Sequence, residues 1–205
     1  MEKAWRETYK EKEFTIETTK PSEIVVAGFE KLRLPENFKV LDLGCGNGRN
    51  SIYAATLGGL VESVDFADLD FKKDIPKKTK DRISFHEMSV MDFDIKPDEY
   101  TAIIASRLIQ YLAKSEIEVL FGRIKKGLTN EGLAMISYTA SGGIFDKQDI
   151  HVPKYKHAID EIRQTFQNNG LEIVLLEGKS GVATHVPYEN PNETYDILIK
   201  RKIGA

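Results

Sequence analysis

The chain has one cysteine among its 205 residues, Cys45. An internal disulfide framework is therefore excluded. No apolar run approaches the ~20 residues that a membrane-spanning helix requires. The opening Met1-Glu-Lys-Ala-Trp-Arg-Glu7 lacks the apolar centre of a signal peptide. These gaps give the expectation of a cytoplasmic protein with no membrane partner. A basic surplus is missing as well: 29 Lys and Arg stand against 32 Asp and Glu, for a net charge of −3. Nucleic-acid binders usually show the opposite balance, so such partners are disfavoured. The lysines at Lys72, Lys73, Lys77, Lys78 and Lys80 are diluted by Asp68, Asp70, Asp74 and Asp81, and read as a solvated linker. There is no internal repeat and no low-complexity tract. Nothing in the pattern fixes an oligomeric state.

What is present is ordinary globular composition, 41% hydrophobic and 30% charged, in a length that suits one domain with a full core. Within it, residues 39–48 stand out: Lys-Val-Leu-Asp-Leu-Gly-Cys-Gly-Asn-Gly. An apolar strand reaches a carboxylate, Asp42, and breaks into a turn with glycines at 44, 46 and 48. A helical pattern follows from about Asn50 to Leu57, stopped by Gly58-Gly59. Strand, glycine turn and helix start together make a cradle for a nucleoside cofactor. A dinucleotide site wants G-x-G-x-x-G, whereas here the third glycine is one residue early and Arg49 holds the sixth position. Charge argues the same way. Asp42 at the strand end repels a pyrophosphate and attracts a ligand carrying ammonium and sulfonium groups.

The stretch Leu41-Asp-Leu-Gly-Cys-Gly-Asn-Gly-Arg-Asn-Ser51 resembles motif I of class I S-adenosylmethionine (SAM)-dependent methyltransferases, and especially the tellurite-resistance (TehB-like) group. The resemblance to the superfamily covers roughly residues 37–202. It implies a doubly wound α/β sheet of seven strands with the last one reversed.

The periodicities fit such a sheet. Strands are expected at 39–42, 60–65, 83–88, 100–106, 133–138, 171–176 and 194–202. Ser115-x-x-Glu118 is read as a capping box opening a helix to Leu128, with Ile117, Leu120, Phe121, Ile124 and Leu128 inward. Thr129–Gly132 is expected to be a turn. A second long helix is expected from about Lys154 to Asn168, burying Ile159, Ile162 and Phe166. The chain is divided into an N-terminal helical lid over 1–36 and a core over 37–205, with loop insertions at 139–157 and 177–193.

Ligands in such sheets bind beyond the carboxyl ends of the strands. By resemblance, Asp42, Gly44, Cys45, Gly46, Gly48 and Arg49 line the methionine half of SAM. Asp65 accepts the ribose hydroxyls and Phe66 packs on adenine. Ser89, Val90 and Met91 border the adenine, with Ser89 standing where relatives carry an acid. Ser106 and Arg107 lie under the methionine end and open toward the acceptor. Trp5 and Tyr9, spaced i, i+4, resemble an aromatic lead-in that folds over the cofactor.

No metal ligand set is expected. Arg107, Tyr9, His151 and His185 are the candidates for a catalytic group, with none singled out. No Asn/Asp-Pro-Pro-Tyr/Phe motif follows strand four, which disfavours DNA amine methylation, and no Pro-Cys nucleophile exists for cytosine carbon chemistry. The expectation is methyl transfer from SAM, leaving S-adenosylhomocysteine, to a small molecule of oxyanion or thiol type. RNA or protein methylation, and a SAM-binding regulator without turnover, are the alternatives.

Overall fold

The computed structural model describes residues 19–66, 75–141, 153–181 and 192–202. Seven strands form one sheet there: β1 Lys39–Leu43, β2 Leu60–Asp65, β3 Ile83–Glu87, β4 Tyr100–Ser106, β5 Leu128–Ser141, β6 Leu171–Gly181 and β7 Asn192–Arg201. Their order is β3-β2-β1-β4-β5-β7-β6. β1 pairs in parallel with β2 and β4, β2 with β3 and β4 with β5, while β7 runs antiparallel to both β5 and β6. The doubly wound sheet with one reversed strand is thus present. The strand order switches direction between β1 and β4, and that switch point is where an α/β sheet opens a ligand crevice.

Alternation within the strands feeds two cores. Leu41, Leu43, Ile103, Ala105, Ala134, Ile136, Ile197 and Ile199 face one side. Helices α3 (Lys114–Gly127) and α4 (Ile159–Asn168) cover it, meeting edge to face through Phe121 and Phe166 at 4.7 Å. Val40, Val61, Ala102, Ile104, Met135 and Leu198 face the other side, under α1 (Glu23–Lys31) and α2 (Arg49–Thr56). A sheet covered on both faces has strands with few polar positions, as β1 and β4 do.

α1 divides the expected lid. Residues 1–18 lie outside the described residues, and α1 itself is packed on the sheet through Ile24, Val25 and Phe29. Its close seat depends on Gly28, where a Cβ would come within 2.6 Å of Met135 Cε.

Four expectations need correction. The helix start at Ser115 is one residue late: α3 begins at Lys114 with Ala113 as its N-cap, and the Glu116 carboxylate accepts the Ala113 N–H at 2.7 Å. Thr129–Gly132 is no turn, because β5 starts at Leu128 directly after α3. The extra residues form a bulge where pairing jumps from Tyr100↔Leu128 to Ala102↔Leu133. The helix expected from Lys154 begins only at Ile159. Tertiary bonds hold the preceding segment irregular: the Tyr155 N–H donates to Gln110 O, and the His157 ring bonds Leu112 O at 3.0 Å. Finally, β5, β6 and β7 run to Ser141, to Gly181 and from Asn192, which shortens both expected insertions.

Candidate active site

The β1–α2 turn is built by its glycines. Gly44, Gly46 and Gly48 have φ of 69°, 55° and 77°, in the left-handed region that side chains disfavour. The turn is tied down by the Gly44 and Cys45 N–H groups, which donate to Val64 O at 2.8 and 3.1 Å. The Gly46 N–H donates to Asp65 Oδ2 at 2.9 Å. Asp65 thus ends β2 with its carboxylate turned toward the glycine turn.

Asp42 sits beneath. It is 1% exposed, and its Oδ2 accepts the Ser51 hydroxyl at 2.6 Å, which in turn accepts the Ser63 hydroxyl at 2.8 Å. Burial pushes the Asp42 carboxyl up from 3.8 to about 6, against the pull of the Ser51 hydrogen bond. Asp42 therefore offers the turn a charge rather than an exposed oxygen.

This geometry tests the cofactor. Two buried carboxylates, Asp42 and Asp65 (8% exposed), converge on one glycine turn. A phosphate placed there would meet both at short range in a poorly solvated site, whereas a cationic ligand is drawn in. The residues present fit SAM and disfavour a dinucleotide.

The loop after β3, where the adenine contacts are expected, is organised from α3. Arg123 Nη1 donates to Val90 O at 3.2 Å and Met91 O at 2.9 Å, and Nη2 donates to Phe93 O. The Ser89 hydroxyl accepts the Met91 N–H at 3.1 Å, so it shapes this loop from within. Val90 is buried, and Met91 and Phe66 are half-buried at the strand ends. Arg123 escaped sequence reasoning because nothing in the period of α3 separates a solvated arginine from one holding a loop. Arg123→Ala is expected to cost about 1–3 kcal/mol of stability and to weaken S-adenosylhomocysteine binding several-fold. Urea unfolding and calorimetry check both.

The edge beyond β4 and β5 is framed by hydroxyls. Ser22 Oγ and Ser106 Oγ share a hydrogen bond at 2.9 Å, as do Ser106 Oγ and Ser137 Oγ. Asn50 Oδ1 accepts the Ser22 N–H at 2.9 Å, and Arg49 Nη2 donates to Ser22 Oγ at 3.0 Å. The segment before α1 is thereby fastened to α2, β4 and β5. Ser137 was not expected here; Asn50 and Ser51 lie in the quoted motif and carried a signal. Arg107 follows β4 with φ 59°, its N–H donating to Ser137 O at 2.7 Å and its guanidinium to Thr139 Oγ1. The structure thus gathers Asp42, Gly44, Cys45, Gly46, Gly48, Arg49, Asp65, Phe66, Ser89, Val90, Met91, Ser106 and Arg107 along one sheet edge. Trp5, Tyr9, His151 and His185 lie outside the described residues.

Residues 40–132 match the model of the methyltransferase domain family. The matched stretch runs from β1 into β5 and includes the whole glycine turn. The fold of the chain is similar to that of 1,6-didemethyltoxoflavin-N1-methyltransferase from Burkholderia thailandensis, solved with 1,6-didemethyltoxoflavin and S-adenosylhomocysteine. The TM-score is 0.77 at 15% identity, over 98% of this chain and 86% of that one. Geranyl diphosphate C-methyltransferase from Streptomyces coelicolor is similar at TM-score 0.71 and 14% identity, over 86% and 78%. A curated relative, an uncharacterised protein of Rickettsia prowazekii, is 28% identical over 144 residues. That match takes in 63% of this chain but only 26% of the relative's length. Among the described residues, no helix of this chain is long and apolar enough to cross a membrane.

Proposed function

We propose that this chain is a SAM-dependent methyltransferase acting on a small molecule whose accepting atom is an oxyanion or a thiol, as the TehB-like resemblance of residues 41–51 suggests. SAM supplies an electrophilic methyl group on a sulfonium. The chain's own residues supply attraction, alignment and exclusion of water. Asp42 and the glycine turn draw in the cation, Asp65 holds the ribose, and the loop over Ser89, Val90 and Met91 borders the adenine. Ser106 and Arg107 face the acceptor.

The observation that carries this reading is the convergence of Asp42 and Asp65 on the Gly44–Gly48 turn. Two similar solved folds support a small acceptor, since those proteins were crystallised with small-molecule substrates. Residues 107–111, directly after β4, are the part of the acceptor wall that lies among the described residues. A cytoplasmic location suits the sequence. RNA or protein methylation remains the competing reading. Incubating the protein with labelled SAM and separate pools of metabolites, RNA and protein tests it; label confined to the RNA or protein pool overturns the proposal.

Asp65→Ala is expected to weaken SAM by about 1–3 kcal/mol, the scale of lost charge-assisted hydrogen bonds. An unchanged dissociation constant in titration would show that Asp65 does not hold the ribose.

A further inference from the structure

β5 runs on past the strand beside it. The last pair of β4 with β5 is Ser106↔Ser137, so the Thr139 N–H lies beyond the end of β4. A side chain takes it: Gln110 Oε1 accepts the Thr139 N–H at 3.1 Å. Gln110 is 4% exposed, and its own carbonyl accepts the Tyr155 N–H at 2.8 Å. The amide is thereby fixed by its oxygen. Its other end meets the Tyr111 hydroxyl as a donor. The Tyr111 oxygen accepts on that side and turns its own O–H to donate on another.

Tyr111 is buried, yet among the described residues it joins neither core, although Ile109 and Leu112 on either side of it do. It closes a single 3₁₀ turn, Ile109–Tyr111, just past β4. Leu108, the cap of that turn, packs on the glycine turn: a Cβ on Gly44 would come 3.1 Å from Leu108 Cδ1. The Tyr111 N–H donates back to Leu108 O at 3.0 Å. Tyr111 therefore stands one short turn from the cradle, on the wall assigned to the acceptor. Burial raises the phenol above its ordinary 10, against the pull of Gln110 and Arg107. At neutral pH it is a donor and not a base. A neutral donor in a poorly solvated wall suits an atom that already carries negative charge.

We infer that Tyr111, aimed by Gln110, is the hydrogen-bond donor that holds the anionic accepting atom of the substrate, a thiolate or an oxyanion. This rests on the reading that the glycine turn holds SAM. The carboxylate of the cofactor's methionine end would take the same donor, so the test has an arm for each source.

The full chain, saturated with S-adenosylhomocysteine so that no methyl group can move, is titrated with 4-nitrothiophenol in its ionised form. Sodium selenite serves as a colourless competitor. Wild type is expected to bind the thiolate saturably, to release it to selenite, and to shift its visible band to shorter wavelength, as a hydrogen bond to the sulfur does. Tyr111→Phe keeps the ring and its packing. It is expected to weaken the thiolate by about tenfold and to lose the band shift. S-adenosylhomocysteine should bind that variant within about threefold of wild type, which also shows that it folds. A phenol that serves only the structure would lower the melting temperature on substitution and leave the bound band where it was; that result overturns the proposal. An unshifted band in bound wild type overturns it without any variant, as does a wild type that binds neither probe saturably. If S-adenosylhomocysteine weakens about tenfold in Tyr111→Phe while 5′-methylthioadenosine does not, the phenol holds the cofactor's carboxylate and the acceptor assignment falls. Failure of wild type to bind S-adenosylhomocysteine would instead overturn the cofactor reading itself.

Discussion

Gly46→Val is expected to lower the affinity for SAM and S-adenosylhomocysteine by about 100-fold or more, roughly 3 kcal/mol. Gly46 holds φ at 55° while its N–H donates to Asp65. A β-branched residue in that conformation is strained by about 1–3 kcal/mol. Two outcomes are open to the turn. It can keep its shape, and then an isopropyl group stands in the cradle. Or it can relax to negative φ, and then the Asp65 carboxylate loses the amide that orients it. Both remove the site. Gly58→Ala is the control, because Gly58 also has positive φ, 97°, but a Cβ there meets nothing within 4 Å. It should cost about 1 kcal/mol of stability and leave binding unchanged. Calorimetry with S-adenosylhomocysteine and thermal melts of both variants separate cradle from strain. Equal binding by Gly46→Val and wild type would place the ligand elsewhere.

The contrast between these glycines shows what was legible in the sequence. The three turn glycines, the carboxylate before them and the acid ending β2 are local features, and β2 and β4 run over the residues their apolar patterns indicate. What escaped was set by tertiary contact. Ser22 stands at the N-cap of α1. Yet it makes no side-chain capping bond, and its hydroxyl instead meets Ser106 across the sheet edge. Residues 153–158 have a helical composition but give their donors to Gln110 and Leu112, so α4 starts late. The bulge in β5 looks like a turn because Gly132 packs against backbone: a Cβ there would lie 2.9 Å from Tyr100 O. No one-dimensional period reports such partners. Ser89 is the reverse case, a visible departure from relatives whose outcome, a hydroxyl serving its own loop, depends on three-dimensional geometry.

Asp42→Asn is expected to make the protein more stable and a poorer cofactor binder. Burial holds the Asp42 carboxyl at about 6 in the folded chain against an ordinary 3.8. Between those values the native state keeps a proton that the unfolded chain has released. This group's contribution to stability is therefore full below about pH 4 and declines as pH rises through 6. At pH 7 the ionised form costs about 2–3 kcal/mol on this account. Asparagine keeps an oxygen for the Ser51 hydroxyl, 2.6 Å away in the wild type, and carries no charge. The variant should thus gain about 1–3 kcal/mol over wild type at pH 7 and lose that advantage near pH 4. Urea midpoints at pH 4, 5.5 and 7 measure the difference. Binding moves the other way, because SAM loses an attraction worth about 1–2 kcal/mol, roughly tenfold. S-adenosylhomocysteine, which lacks the sulfonium charge, should lose less, so the preference for SAM narrows. A wild type that gains on the variant as pH rises would mean that Asp42 is stabilised by a cation in the free protein. The strand-end carboxylate would then be a structural ion-pair partner, with no charge left over to attract the methyl donor.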